Sequence, residues 1–305
     1  LTLAESAMTD STRLVVMPET ALQENATIDM QGPVPMLNGL WENDLTRSRS
    51  YGLIRRFQQR FPNAALLTGM SSAYFYRAGE KPSRTARFLE GIDRYFDAYN
   101  AAMLVDESGS VQVYHKSKLV VGVELMPFQA VLEPLMGGIS IDMGGTNGSL
   151  GSGTERPILH TIDDKVRLVP AICYESVFGD HLAEHTREGA NLLAVITNDA
   201  WWGDSPGYKQ HLAFGRLRAI ELRRPIARSA NTGISCIIDE RGNVLQALSW
   251  WQPGAIRAQV HTSDSTTFFL RHGDVVGRAG TVLGLLVALV LVGLWGRRLF
   301  SRARD

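Results

Sequence analysis

Short apolar runs punctuated by polar, helix-period segments organise the chain. Residues 13–17, 64–68, 99–105, 111–114, 168–172, 191–197, 226–229, 234–238, 244–246 and 255–260 read as strands, being short and bounded by turn residues. Gly69 is expected to close the second of these. The Asp106-Glu107-Ser108-Gly109-Ser110 stretch between two runs signals a hairpin. Helical spacing appears over residues 40–60, with Leu53, Ile54 and Phe57 on one stripe and a stop at Phe61-Pro62. A second helix is expected to open at Glu175 and run to about Arg187. A third spans 208–223 and is stopped by Pro225, and residues 1–10 read as the tail of another. Strands alternate with helices early and come as hairpins later. That pattern predicts an α/β fold with two sheets packed face to face under helices. Residues 137–153, rich in Gly, Ser, Thr and Asn, read as a long loop.

One segment leaves the globular pattern. Residues 279–295 are apolar on every side and carry no charge, Trp295 stands at their end, and Arg297, Arg298, Arg302 and Arg304 follow. A helix apolar all round is buried in a core or in a bilayer, and about seventeen residues is the short end of a membrane span. The arginine-rich end predicts a cytoplasmic C-terminus, with the preceding domain facing outward. The chain shows no export signal and does not begin with Met. An outward-facing domain is therefore expected to have further membrane helices upstream.

Charge and cysteine content narrow the classes. Lys plus Arg and Asp plus Glu are each 31, so the net charge is zero and nothing points to nucleic acid. The only cysteines are Cys173 and Cys236, which excludes a disulfide framework as the organising device. The histidines show no metal-ligand spacing, and neither a metal nor a cofactor is expected.

Three polar residues each stand just past a strand: Glu19, Lys116 and Cys173. Strand ends are where α/β proteins assemble sites. A cysteine most often simply packs, a Glu after Pro is usually a cap, and a lysine at a hairpin end is usually solvated. Together they supply an acyl-transfer site. The thiol is the nucleophile, poised as thiolate by a helix N-terminus; the carboxylate takes its proton; the ammonium steadies the oxyanion.

The stretches MPETA (17–21), YHKSKLVVGVELMPF (114–128), ICYES (172–176), NDAWWG (198–203) and RAIELRRPIARSANTGIS (218–235) resemble, in order, the nitrilase or carbon–nitrogen hydrolase superfamily. Within it they are most similar to the apolipoprotein N-acyltransferases. The resemblance covers most of the chain to about residue 260. It implies a nitrilase-like α-β-β-α sandwich over residues 1–270, then a transmembrane helix and a basic tail over 271–305. It places the family's Glu-Lys-Cys triad on Glu19, Lys116 and Cys173. Lys116 is chosen over Lys118 because Glu124 then falls at the accessory glutamate. Tyr174 would offer its backbone N–H to the oxyanion, Glu175 would orient the triad with Glu124, and Trp201 and Trp202 would touch acyl chains or an interface.

The implied activity moves an acyl chain from a phospholipid, through a Cys173 thioester, to the N-terminal amine of an apolipoprotein. It would be carried out by a monomer in the bacterial inner membrane, with its catalytic domain periplasmic. An amidase hydrolysing a small amide, or an inert truncated copy, are the alternatives. Lys118 and Val121-Gly122-Val123 depart from the family pattern of a His and a Pro-Phe-Gly. The family's opening strand, well before the glutamate, is expected to be missing here.

Overall fold

The computed structural model describes residues 1–29, 36–89, 92–125 and 149–302. Most of the expected 137–153 loop lies outside them. The strands are β1 Leu14–Val16, β2 Thr27–Asp29, β3 Met36–Asn38, β4 Ala65–Phe75, β5 Arg87–Leu89, β6 Arg94–Val105, β7 Val111–His115, β8 Leu159–His160, β9 Arg167–Ile172, β10 Leu192–Thr197, β11 Ile226–Ala230, β12 Cys236–Ile238 and β13 Val244–Ala247. The helices are α1 Thr2–Glu5, α2 Arg49–Arg60, α3 Gly179–Arg187, α4 Gly207–Leu222, α5 Phe268–His272 and α6 Val275–Arg302.

The strands form two principal sheets, as the alternating pattern requires. One runs β1-β4-β6-β5 with β7 also on β6; the other runs β13-β12-β11-β10-β9-β8. β9, β10 and β11 are parallel and their connections carry α3 and α4, so their carboxyl ends open on one side of the sheet. Three apolar layers result. Ala65, Leu67, Ala102, Leu104, Leu168, Ile172, Ala194 and Ile196 pack between the sheets. Val169, Leu193 and Val195 meet Leu182, Ala219 and Leu222 of α3 and α4. Leu66, Met70 and Met103 meet Ile54 and Phe57 of α2. Period-two alternation sends neighbouring residues of β4, β9 and β10 to opposite layers, which is why residues 65–67, 168–172 and 192–196 read as continuous apolar runs. The architecture is the α-β-β-α sandwich expected.

Several expected boundaries shift. The helix expected over 40–60 starts only at Arg49, where Ser48 accepts the Tyr51 N–H as its cap; Trp41 instead bridges to Ala73 beside β4. Gly69 does not end β4 but lies inside it. The expected helix from Glu175 is two pieces, a 3₁₀ turn Cys173–Val177 and then α3. Residues 255–260 form no strand; they line a cavity of about 1600 Å³ beside the edge strand β1, together with residues 227–233, Ser235 and the N-terminal segment.

The apolar helix begins earlier than residue 279. α6 is continuous from Val275, and Arg278 in its first turn donates Nε to the Asp274 carbonyl. Among the described residues, Val275–Trp295 is the stretch long and apolar enough to cross a membrane, and none of it is buried against the rest of the chain. At 1.5 Å per residue those 21 residues reach about 30 Å, the thickness of a bilayer's hydrocarbon core.

Candidate active site

Glu19 leaves β1 on a segment that crosses directly over Gly69. A Cβ on Gly69 would stand 2.6 Å from the Glu19 Cα and 2.8 Å from the Pro18 carbonyl oxygen, closer than any side chain tolerates. The Gly69 N–H donates to that Pro18 carbonyl at 3.1 Å. The missing side chain inside β4 is therefore what lets the carboxylate lie down between the sheets. There the buried Glu19 spans both of them. Its Oε1 accepts from Asn100 Nδ2 at 2.8 Å and lies 3.5 Å from Lys116 Nζ; its Oε2 accepts the Asn198 N–H, past the end of β10, at 2.8 Å.

Lys116 follows β7 and is 1% exposed. Its ammonium donates to Glu124 Oε1 at 2.8 Å, and Asn100 Nδ2 donates to the same oxygen at 2.7 Å. Burial alone would push the Lys116 ammonium down, but the carboxylates of Glu19 and Glu124 outweigh it and hold the group above its ordinary value. It stays charged where water cannot reach it. Glu124 is anchored in turn by the Val120 N–H on Oε2 at 2.8 Å, and its carbonyl accepts from the Leu150 N–H. Lys118 takes no part in this cluster: its Nζ lies 5.9 Å over the Phe178 ring.

Cys173 follows β9 and opens the 3₁₀ turn with φ +51, a left-handed conformation unusual for a side-chain-bearing residue. Burial, and then the negative charge of Glu19, push its thiol up to about 12, against a smaller opposing pull from Lys116 and a hydrogen bond with Thr197. This direction runs against the pull toward thiolate expected of a helix N-terminus. The element after it is a short 3₁₀ turn with little dipole, and desolvation dominates. A raised thiol next to the Glu19 side chain suits proton removal that accompanies attack.

Glu175, fully buried, joins the chain segment that carries Lys116 to the one that carries Cys173. Its Oε1 accepts from Tyr114 Oη at 2.7 Å, Ser117 N at 2.8 Å, Ser117 Oγ at 3.0 Å and Lys118 N at 3.2 Å; its Oε2 accepts the Ile172 N–H at 2.9 Å. The Tyr174 side chain is 39% exposed and meets Phe178 edge-on. Trp201 and Trp202, in the 3₁₀ turn Asp199–Trp202, are 64% and 49% exposed. They are surface aromatics next to the strand end that holds Glu19, not core.

The sequence reading missed Asn100, which bridges the two glutamates from within an apolar strand and offers no local signal. It also missed the buried Asp199, His211 and Arg228 behind Cys173, although Asp199 and Arg228 lie in the stretches that carried the family resemblance and His211 falls between two of them. Among the described residues no group of three or more His, Cys, Asp or Glu is arranged to hold a metal. The large cavity beside β1 is not lined by Glu19, Lys116 or Cys173.

Residues 75–268 match the carbon–nitrogen hydrolase family. Curated relatives include apolipoprotein N-acyltransferases from Chlorobaculum tepidum, 35% identical over 251 residues (80% of this chain, 45% of that one), and Shewanella oneidensis, 35% identical over 194 residues (63% and 35%). A third, from Bradyrhizobium diazoefficiens, is 36% identical over 193 residues (63% and 35%). The chain spans less than half the length of these relatives. In fold it is similar to Saccharomyces cerevisiae Nit3, of branch 10 of the nitrilase superfamily, with a TM-score of 0.52 at 16% identity over 83% of this chain and 79% of that one.

Proposed function

Because this chain belongs to the carbon–nitrogen hydrolase family, we propose that it catalyses acyl transfer through a thioester on Cys173, from a phospholipid to the N-terminal amine of a lipid-modified apolipoprotein. Glu19 takes the Sγ proton as the sulfur attacks the ester carbonyl. The oxyanion is met by the Lys116 ammonium and the Tyr174 N–H. The C–O bond breaks, and the lysophospholipid alkoxide leaves with the proton from Glu19. The acceptor amine then attacks the thioester and gives its proton to Glu19. The amide forms, the C–S bond breaks and the thiol returns. Glu124 keeps Lys116 charged and in place, and Trp201 and Trp202 meet the acyl chain.

The observation that carries this reading over hydrolysis of a small soluble amide is α6, a membrane-length apolar helix with no face buried against the domain. It supports a site working at a lipid surface. The arginines after Trp295 favour a cytoplasmic C-terminus and a periplasmic catalytic domain in the inner membrane. Division of the chain into a catalytic part to residue 270 and a membrane part beyond it follows from the same reading.

The test uses the detergent-solubilised chain with a fluorescent phospholipid. Expected are a hydroxylamine-sensitive acyl adduct on Cys173, absent in Cys173→Ser, and its discharge by a diacylglyceryl-cysteine peptide. A wild-type adduct discharged by water as fast as by the peptide supports the amidase reading instead. Activity retained in Cys173→Ser ends both.

A further inference from the structure

We propose that His211 is a positioning residue that aims and polarises the Cys173–Tyr174 peptide toward the developing oxyanion. This rests on the reading of Cys173 as an acylated nucleophile. His211 lies on the inner face of α4 and is 5% exposed. Its Nε2 stands 3.0 Å from the Cys173 carbonyl oxygen and 2.8 Å from Ser176 Oγ, and Ser176 Oγ donates to the same carbonyl at 2.8 Å. A carbonyl and an ionised Asp199 have no proton to offer, so in this scheme the ring carries a proton on both nitrogens, Nε2 donating to the carbonyl and Nδ1 to Asp199. On the other side, Nδ1 stands 2.8 Å from Asp199 Oδ1. Asp199 also accepts from Arg228 Nη2 at 2.7 Å and from Thr197 Oγ1 at 3.0 Å. Burial pushes the Asp199 carboxyl up, but the hydrogen bond from His211 and the charge of Arg228 outweigh it and keep the group ionised. Arg228 Nη2 also lies 3.2 Å from His211 Nδ1. The assembly is tightly packed: a Cβ on Gly233 would meet Asp199 Oδ2 at 2.2 Å.

The consequence follows from the peptide group itself. In a trans peptide the carbonyl of one residue and the N–H of the next lie in one plane and point in opposite directions. Two donors on the Cys173 oxygen therefore fix the direction of the Tyr174 N–H, and they hold Cys173 in its left-handed conformation, which is strained if unsupported. Hydrogen bonds to an amide oxygen also draw density from its nitrogen and strengthen the N–H as a donor. His211 touches neither thiol nor substrate in this scheme. It acts through one peptide unit, and the Asp199–Arg228 pair fixes its ring.

The test separates oxyanion formation from thiol reactivity. Alkylation of Cys173 by iodoacetamide displaces iodide from a saturated carbon and passes through no oxyanion; acylation by a p-nitrophenyl acyl ester does. Both rates are measured on the full detergent-solubilised chain, and adduct masses are located at Cys173. In His211→Phe the ratio of acylation to alkylation should fall on the order of 10²-fold. His211→Gln, which keeps a side-chain N–H, should recover most of it, and Asp199→Asn should lower it by about tenfold. An unchanged ratio in His211→Phe or Asp199→Asn, or equal losses in both reactions, overturns the proposal. Wild-type Cys173 that alkylates but takes up no acyl group overturns the acyl-transfer reading itself; wild type and His211→Phe acylating equally fast removes only the role of His211.

Discussion

Glu175→Gln tests whether one buried carboxylate sets the spacing between the lysine-bearing and cysteine-bearing segments. Glutamine can turn its single oxygen toward the Tyr114, Ser117 and Lys118 donors. Its amide N–H group then faces the Ile172 N–H, where Glu175 Oε2 now accepts at 2.9 Å. One buried N–H left facing a donor costs about 1–3 kcal/mol. At roughly 2–4 °C per kcal/mol for a domain approaching this size, Tm should fall by about 2–12 °C. Glu175→Ala strands every donor that meets the carboxylate and should fall well beyond that range. Thioester formation in Glu175→Gln should drop more than stability does, by about tenfold or more, because the segments bearing Lys116 and Cys173 lose a shared anchor.

The same substitution has a pH signature. Burial pushes the Glu175 carboxyl up, but the hydrogen bond from His181 and those from the Ile172 and Ser117 N–H groups together hold it below its ordinary value of 4.5. A folded-state value below the unfolded one means the carboxylate contributes its full stability above about pH 4.5 and loses it as pH falls through the lower folded value. The wild-type advantage over Glu175→Gln should therefore shrink on acidification. Thermal denaturation of both proteins from pH 7 to pH 3 reads this out. Equal Tm at pH 7, or a gap that widens in acid, refutes the reasoning.

Three further outcomes are expected. Burial first and the Glu19 charge second raise the Cys173 thiol; Glu19→Gln removes the second, so the midpoint of its alkylation pH profile should move down from that of wild type while acylation falls about 10²–10⁴-fold, and an upward shift, or acylation intact, contradicts the base role. Gly69→Ala puts a methyl 2.6 Å from the Glu19 Cα, so it should cost about 1–3 kcal/mol in denaturant midpoint and about 10²-fold in acylation, and wild-type kinetics would show that the Glu19 segment is not held by that contact. Leu285→Arg places a charge mid-span at a cost of about 2.5–3.5 kcal/mol; carbonate extraction should release more of the variant than of wild type, and equal retention would argue that α6 is not in the bilayer.

The strand runs, the two-sheet packing and the apolar helix are legible in the order of the residues alone. Burial on both faces writes residues 65–67, 168–172 and 192–196 of β4, β9 and β10 as short unbroken apolar runs, and a lipid-length helix cannot hide its composition. The sequence also singled out Glu19, Lys116 and Cys173, because each follows a readable strand. What it could not supply were relations between distant segments. Gly69 read as a strand end, since only the crossing of Pro18-Glu19 overhead explains a glycine inside β4. Asn100 read as one more residue of a β run, since its partners lie 81 and 24 positions away. The Cys173 thiol is pushed up, against a local rule about helix ends, by desolvation and by a carboxylate brought in from the other sheet. Pattern records which faces are buried; only the tertiary structure decides which charges are buried together, because electrostatic energy depends on distance in space and not along the chain.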